Sequence, residues 1–213
     1  MRIAIIDYGM GNIFSVCSAV DKIGYNFILT NKREEILSSD RVILPGVGAF
    51  DKAMHLLKNL NLDTILEDYI SSGNPVLGIC IGMQVMMGFG EEGAGEEGLK
   101  IIEGNVKKIN PGNVDQKEKE RFPIPHISWS KVIISKENNN LNNFFSSQDD
   151  YMYFVHSYQC LPFDKKYISA YSQYGSEKIT ASIQKENVFG TQFHPERSGP
   201  VGLNFLKNFI EQK

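Results

Sequence analysis

The fold of this chain is decided by the stretch Asn74-Pro75-Val76-Leu77-Gly78-Ile79-Cys80-Ile81-Gly82-Met83-Gln84. An apolar run ends in Gly-x-Cys-x-Gly and leads directly into a segment that favours a helix, which is the pattern of a nucleophile elbow. The nucleophile of such an elbow lies in strained backbone at a sharp strand-to-helix turn, so small residues must flank it. Gly78 and Gly82 meet that requirement. The stretch therefore predicts a strand, a nucleophile at Cys80 and a helix, in that order.

A cysteine in this position is suited to nucleophilic chemistry. The free N–H groups and the dipole of a helix N-terminus stabilise a thiolate, which is the form of cysteine that attacks. A buried structural cysteine at the end of a core strand fits the same pattern, because free cysteines are among the most often buried residues. The motif alone leaves both interpretations open.

The composition predicts one domain spanning residues 1–213. Hydrophobic residues make up 42% of the 213 positions, which is enough for a sizeable core. The net charge of -3 gives no basic footprint for nucleic acid, and no apolar run is long enough to cross a membrane. The N-terminus has no signal-peptide pattern, so we expect a cytoplasmic protein.

The three cysteines, Cys17, Cys80 and Cys160, cannot form an even set of disulfides, which agrees with a reducing compartment. No pair of them has the spacing of a metal site, and we expect no metal. The glycine-rich turn at residues 8–12 lacks the full fingerprint of a dinucleotide-binding loop, and we expect no cofactor.

The order of apolar segments predicts an α/β fold. Strands at residues 2–7, 26–29 and 41–44, and the strand that leads into Cys80, alternate with helical stripes that begin near Ile13, Phe50 and Leu62, with Asn12 placed to cap the first helix. The second half is richer in strands, at residues 99–109, 131–134, 151–156, 167–172, 179–184 and 188–193, before a last helix from Gly199. Polar surface loops are expected at residues 110–125 and 136–150. We predict a mostly parallel central sheet with helices on both faces and an antiparallel extension.

Two further segments could serve Cys80. Pro45-Gly46-Val47-Gly48 follows a predicted strand, and its glycines leave the backbone free to bring N–H groups to a ligand, as in an oxyanion hole. An ordinary turn is the alternative. Residues 90–98 form a loop rich in glycine and glutamate, in which a carboxylate could bind the ammonium group of a substrate. A solvated acidic loop is the alternative there.

Of the four histidines, His194 is the best candidate for a general base. His55 lies beside lysines on a helix, His126 lies among prolines, and His156 and His194 both end apolar strands. In His194-Pro195-Glu196 the proline favours extended geometry at His194, so that His194 and Glu196 point to the same side. The carboxylate can then orient the imidazole, as in a nucleophile-base-acid triad. A histidine and a glutamate that face solvent are the alternative.

These motifs together are similar to those of the class I glutamine amidotransferases. Within that class the chain resembles, from end to end, the glutaminase subunit of imidazole glycerol phosphate synthase of histidine biosynthesis. The matching segments are Asp7-Tyr8-Gly9-Met10-Gly11-Asn12, Leu44-Pro45-Gly46-Val47-Gly48, residues 77–84, Phe154-Val155-His156-Ser157-Tyr158 and residues 192–199.

The resemblance implies a role for each matching residue. Cys80 attacks the side-chain amide of L-glutamine, His194 passes the proton to the leaving ammonia, and Glu196 orients His194. The N–H groups of Val47 and Ile81 form the oxyanion hole. The positions that hold glutamine are Gly46, Gly48, Gln84, Glu92, Ser157 and Tyr158, with Glu92 suited to the ammonium group.

The resemblance also implies a partner. In the family the glutaminase forms a heterodimer with a TIM-barrel cyclase, which receives the ammonia through a channel and makes imidazole glycerol phosphate and an aminoimidazole carboxamide ribotide. Asn12, Ile127, Trp129 and Arg197 are expected at that interface. At residues 125–130 the family usually has Pro-His-Met-Gly-Trp-Asn, whereas this chain has Pro-His-Ile-Ser-Trp-Ser. A sugar amidotransferase of surface-polysaccharide biosynthesis is therefore a second candidate partner.

Two other classes of protein remain as alternatives. A cysteine hydrolase of the same broad fold would act without a partner. An inactive regulatory module would lack part of the triad, and Cys80, His194 and Glu196 are all present.

Overall fold

A computed structural model of the chain describes residues 1–111, 122–135, 144–145 and 150–212. Most of the two predicted polar loops, at residues 112–121, 136–143 and 146–149, therefore lies outside the described residues. No described helix is long and apolar enough to span a membrane.

The first half alternates strands and helices, as predicted. Its elements are β1 (Ile3–Ile6), α1 (Ile13–Lys22), β2 (Phe27–Thr30), α2 (Arg33–Leu37), β3 (Arg41–Leu44), α3 (Phe50–Asn59), α4 (Leu62–Ser71), β4 (Val76–Ile79) and α5 (Ile81–Gln84). The short helix α2 is not in the prediction. Asn12 occupies the predicted N-cap position of α1, but its side chain makes no capping hydrogen bond.

The second half consists mainly of strands. They are β5 (Met87–Gly90), β6 (Glu96–Glu97), β7 (Ile102–Lys108), β8 (His126–Lys131), β9 (Ile133–Ile134), β10 (Tyr151–His156), β11 (Tyr158–Pro162), β12 (Ile168–Tyr174), β13 (Glu177–Lys185) and β14 (Val188–Thr191). Two 3₁₀ turns, Lys165–Tyr167 and Pro195–Arg197, precede β12 and the last helix α6 (Gly199–Glu211).

The central sheet has eight strands in the order β2-β1-β3-β4-β14-β13-β12-β9. The first five are parallel to one another, and the last three continue the sheet antiparallel, which confirms the predicted fold class. Every residue of β1, β4 and β14 is buried, as expected for strands covered on both faces. In consequence β4 and β14, which lead to Cys80 and towards His194, are neighbours in the middle of the sheet.

The structure corrects the prediction after Cys80. The helix ends at Gln84, and residues 87–90 form β5, which pairs antiparallel with β6 inside the predicted acidic loop and parallel with β7. The helix stops because residues 98–102 bind the backbone that would continue it: Leu99 N–H donates to Val85 O at 2.7 Å and Ile101 N–H to Met86 O at 3.0 Å. Strand β11 completes this second sheet, in the order β11-β7-β5-β6.

The remaining strands, β8 and β10, form an antiparallel pair in which His126 lies opposite His156. The predicted strand at residues 131–134 is divided between β8 and β9. Along β8 the side chains alternate: Ile127 and Trp129 are exposed, whereas Ser128 and Ser130 are partly buried. This pair therefore presents two aromatic or aliphatic side chains to the outside and two hydroxyls to the interior.

Candidate functional site

The turn at Cys80 has the strained backbone of a nucleophile elbow. Cys80 has φ 55° and ψ −108°, in a region that residues with a side chain rarely adopt. A Cβ atom at Gly82 would lie 1.9 Å from Leu44 O, and one at Gly78 would lie 2.4 Å from Gly82 O. Both positions therefore require glycine because the chain passes directly over itself, as the sequence predicts.

His194 and Glu196 lie against each other in the interior. His194 Nδ1 lies 2.8 Å from Glu196 Oε1, and the exposed fractions of the two side chains are 3% and 1%. Because a carboxylate only accepts hydrogen bonds, Nδ1 carries the proton of the neutral ring. His194 Nε2 has no hydrogen-bond partner among the described residues. The ring is thus held through one nitrogen and leaves the other available.

The backbone of His194 is extended, with φ −100° and ψ 94°, as predicted for a residue before proline. Glu196 lies in the 3₁₀ turn Pro195–Arg197, and this turn folds the carboxylate back to the imidazole. The backbone of His194 is fixed on both sides: its N–H donates to Tyr153 O at 2.9 Å, and Ser198 Oγ donates to its carbonyl at 2.7 Å.

The electrostatic environment favours a charged His194. Burial lowers the pKa of His194, but the Cys80 sulfur and the Glu196 carboxylate outweigh burial and raise the pKa to about 10. A protonated imidazole beside a cysteine sulfur is the arrangement from which a proton can be given to a leaving group.

A cavity of about 390 Å³ lies over Cys80 and contains most of the predicted binding residues. Gly46 is the exception: it is buried beside the elbow, where a Cβ atom would lie 2.8 Å from Gly82 N. The predicted residues that line the cavity are Val47, Gly48, Cys80, Ile81, Gln84, Glu92, Ser157 and Tyr158, and Pro125, Val155, His156 and Arg197 complete it. A second cavity, of about 360 Å³, lies between α3, α4 and residues 98–101 and contains none of the predicted site residues.

Glu92 has a structural contact in addition to its place in the cavity. Its Oε2 accepts the N–H of Phe50 at 2.8 Å, at the first turn of α3, where the N-cap residue Ala49 has no polar side chain. The carboxylate therefore completes the N-terminus of α3. Its partly buried side chain also supplies negative charge to the wall of the cavity.

Sequence reasoning missed the role of Gln192, although it lies in one of the matching segments. Its Nε2 donates to Cys80 Sγ at 3.6 Å, and its Oε1 accepts from Gln84 Nε2 at 3.0 Å. Gln84 Nε2 also donates to Tyr158 O at 3.1 Å. The only signal in the sequence was a polar residue near the end of a predicted core strand. Such a position does not reveal which side chain the residue contacts.

The residues predicted to face a partner are accessible. Ile127 and Trp129 are 56% and 53% exposed. The Arg197 guanidinium lies 4.8 Å from the centre of the Tyr153 ring, and Trp129 packs edge-on against the same ring at 6.1 Å between centroids. Arg197 also lines the cavity, so this exposed surface reaches its rim. Asn12 is partly buried at the start of α1.

Among the described residues no three His, Cys, Asp or Glu side chains converge in a way that could hold a metal ion.

Comparisons with known proteins agree with this geometry. The model of the family "Glutamine amidotransferase class-I" matches residues 4–213. The chain is 42% identical to imidazole glycerol phosphate synthase subunit HisH of Methanothermobacter thermautotrophicus, over 98% of each protein. It is 43% identical to the protein of the same name from Caldanaerobacter subterraneus, over 98% of this chain and 97% of that one. Both findings confirm the resemblance inferred from the motifs.

Solved structures with low sequence identity have the same fold. The structure of PurLQS from Thermotoga maritima superposes with a TM-score of 0.70 at 16% identity, over 98% of this chain and 97% of that chain. A crystal structure described as that of a glutamine amidotransferase superposes with a TM-score of 0.70 at 15% identity, over 97% of this chain and 98% of that chain.

Proposed function

Because the chain belongs to the class I glutamine amidotransferase family, we propose that it hydrolyses L-glutamine to glutamate and ammonia with Cys80, His194 and Glu196 as its catalytic residues. The observation that supports this best is the buried His194–Glu196 pair, whose 2.8 Å contact leaves His194 Nε2 free, next to a cysteine in a strained elbow. In the described part of the chain, that imidazole is the one whose pKa is raised by the Cys80 sulfur.

In the proposed mechanism the Cys80 thiolate attacks the side-chain amide carbon of glutamine. The N–H groups of Val47 and Ile81 donate to the developing oxyanion, and Ile81 can do so because the first N–H groups of a helix have no partner within the helix. The C–N bond breaks as His194 gives its proton to the departing nitrogen, which leaves as ammonia, and a glutamyl thioester remains on Cys80. His194 then takes a proton from water, which attacks the thioester and releases glutamate.

Two of the proposed binding residues, Glu92 and Gln84, have side-chain oxygens suited to the N–H groups of glutamine. Glu92 would pair with the α-ammonium group of glutamine, at the cavity wall. Gln84 has a buried Oε1 without a partner among the described residues, so it can accept an N–H of the substrate. Gly48, Ser157 and Tyr158, which line the cavity, and Gly46 beside the elbow would complete the site.

We further propose that the chain forms a heterodimer with a TIM-barrel cyclase and supplies it with ammonia for the synthesis of imidazole glycerol phosphate and an aminoimidazole carboxamide ribotide. The names of its relatives, subunits of imidazole glycerol phosphate synthase, support this partner. A channel is required chemically, because ammonium has no lone pair with which to attack. The exposed Ile127 and Trp129, Arg197 at the rim of the cavity, and Asn12 would contact the cyclase.

A sugar amidotransferase is the second candidate partner. The observation that favours it is on β8, where Ile127, Ser128 and Ser130 depart from the usual family residues on the strand expected to face the partner. The glutaminase chemistry would be the same with either partner.

The test is glutamate release from L-glutamine by the purified chain, with and without the barrel cyclase of the same organism and its ribonucleotide ligand. We expect a large rise when both are added. The rise should disappear in Cys80→Ala and persist in Cys17→Ala, a matched variant at a partly buried cysteine of α1. Synthesis from added ammonium salts should survive in Cys80→Ala.

Two outcomes would contradict the proposal. Release that Cys80→Ala does not reduce would exclude the cysteine mechanism. A Cys80-dependent activity that the cyclase does not increase would exclude that partner and leave the sugar amidotransferase as the one to test.

A further inference from the structure

A continuous series of hydrogen bonds joins the strand expected to face the partner to the cysteine. His156, which lines the cavity, places its Nδ1 2.8 Å from Tyr158 O and its Nε2 3.1 Å from His126 Nδ1. His126 Nε2 lies 2.8 Å from Ser128 Oγ and 2.9 Å from Ser130 Oγ, and the two hydroxyls are 2.8 Å apart. We call this series of hydrogen bonds, from the hydroxyls of Ser128 and Ser130 through His126 and His156 to Tyr158 O, the donor chain.

Both imidazoles of the donor chain are neutral at pH 7. Burial lowers the pKa of His126 to about 4. Burial and the neighbouring His126 lower the pKa of His156 to about 3. His126 is also held between two rings, stacking on Tyr174 at 3.9 Å and on Phe154 at 5.1 Å between centroids. Each ring therefore has one donor nitrogen and one acceptor nitrogen in a fixed orientation.

The direction of every bond follows from the carbonyl at one end. Tyr158 O can only accept, so His156 Nδ1 carries a proton and His156 Nε2 accepts from His126 Nδ1. His126 Nε2 is then an acceptor, and a serine hydroxyl must donate to it. One hydroxyl donates to the ring and the other donates to the first, so the donor chain runs inward from Ser128 and Ser130.

The donor chain meets the cysteine site at Tyr158 O. The same carbonyl accepts from Gln84 Nε2 at 3.1 Å, and the second hydrogen of that amide goes to Gln192 Oε1 at 3.0 Å. Gln192 Nε2 in turn donates to Cys80 Sγ at 3.6 Å. A reversed His156 would present a lone pair to Tyr158 O, and the carbonyl that anchors Gln84 would move.

We propose that Ser128 and Ser130 are positioning residues for Cys80, acting through the donor chain and the two glutamine amides. The proposal rests on the glutaminase function and adds to it a route by which a partner controls the site. Strand β8 carries the exposed Ile127 and Trp129 on one face and the two hydroxyls on the other. A partner that shifts β8 by binding its outer face would change the hydrogen bonds from the two hydroxyls to His126.

The first test needs no variant and no activity. Long-range ¹H–¹⁵N correlation spectra of the histidine rings at pH 7 should show His126 and His156 both protonated at Nδ1 alone. A ring protonated at Nε2, or a charged ring, would overturn the proposal.

The second test uses the redundancy of the two hydroxyls. Either serine alone can donate to His126 Nε2, so Ser128→Ala and Ser130→Ala should each change kcat for glutamine by less than about twofold, in complex with the cyclase. The double variant should lose about tenfold in kcat with little change in KM. Ser128→Ala/Ser130→Thr, which keeps one hydroxyl, should recover the activity. A double loss equal to the product of the single losses, or no recovery with threonine, would contradict the proposal.

A third measurement separates this proposal from the proposed function. In a Cys17→Ala background, the rate at which iodoacetamide alkylates Cys80 should fall in the double serine variant and not in either single variant. If the wild-type complex releases no glutamate, the glutaminase proposal fails, and the ring spectra and alkylation rates still decide the donor chain. If the double variant does not fold, the wild-type spectra, the single variants and the threonine variant decide it.

Discussion

His194 Nδ1 lies 2.8 Å from Glu196 Oε1, with both side chains almost completely withdrawn from solvent. The contact is therefore little screened by water or salt. Since the other carboxylate oxygen of Glu196 has no partner among the described residues, the imidazole is the one polar group in that part of the chain that binds this carboxylate. Removing the charge of Glu196 without changing its shape is then a direct test of what the pair does.

Glu196→Gln should lower the pKa of His194 from about 10, because one of the two groups that raise it is lost. The loss of orientation should also reduce kcat at least about a hundredfold, within the range of general acid–base catalysis. An NMR titration of the ring and steady-state glutamate release measure the two effects. Glu34→Gln, at an exposed position of α2, is the control and should change neither. An unchanged kcat would remove Glu196 from the mechanism.

Glu92→Gln should separate a binding role from a structural one. Since the carboxylate is proposed to pair with the ammonium group of glutamine, the KM for glutamine should rise about tenfold or more while kcat changes less. Glu91→Gln, which alters the neighbouring exposed ion pair with Lys107, should leave KM unchanged. A lower melting temperature at constant KM would mean that Glu92 serves only the N-terminus of α3, through Phe50 N–H.

Below neutrality, the free energy of unfolding should decrease as the pH is lowered. The pKa values of His126 and His156 are about 4 and 3 in the folded chain, below the ordinary value of 6.5, so the unfolded chain binds more protons from about pH 6.5 down to those values. The free energy of unfolding should therefore decrease by about 1.4 kcal/mol per pH unit for each ring that stays neutral. His194, with a raised pKa, has the opposite sign: its contribution is complete below pH 6.5 and is lost as the pH approaches 10.

Urea unfolding at pH 7 and pH 5 measures the acid-side loss. The difference should shrink in His126→Asn and stay the same in His55→Gln, because His55 is exposed on α3. Equal differences in the wild type and His126→Asn would show that the ring is not held neutral.

Gly82→Ala should prevent the elbow from forming. The new methyl group would lie 1.9 Å from Leu44 O, which is backbone and cannot move without displacing β3. We expect a loss of about 3 kcal/mol or more in the free energy of unfolding. Gly73→Ala is the matched control: its φ is +83° but nothing lies within 4 Å, so only local strain of about 1–2 kcal/mol is added. Equal losses in a urea titration would argue against close packing at the elbow.

The features that sequence predicted are those set by neighbours in the chain. The requirement for glycine at 78 and 82 comes from one sharp turn, and the alternation of β1 to β4 with helices is visible in apolar periodicity. The second sheet was missed because β5 contains two glycines and its partners β7 and β11 pair with each other only across some fifty residues of chain. Its apolar pattern is therefore too short to recognise alone.

Side-chain partners were harder to predict than elements. The extended backbone of His194 follows from the proline after it, but the position of Glu196 depends on the 3₁₀ turn that begins at Pro195. The contact between His126 and His156 depends on the register of β8 against β10, which no local pattern gives. In the sequence, Gln192 is one more residue of a predicted core strand. Its contact with Cys80 becomes visible only when β14 is paired with β4.

The pairing of β4 with β14 also has a consequence for how the protein is made. Thr191 lies beside Ile79 in that pairing, and Cys80 and Gln192 are 112 residues apart in the chain. During synthesis from the N-terminus, the elbow emerges long before the histidine and the amide that lie beside its sulfur. The site is complete only after β14 has entered between β4 and β13. A nascent chain therefore carries the thiol without the imidazole that is proposed to carry its proton, and we expect glutamate release to begin only when the last central strand is in place.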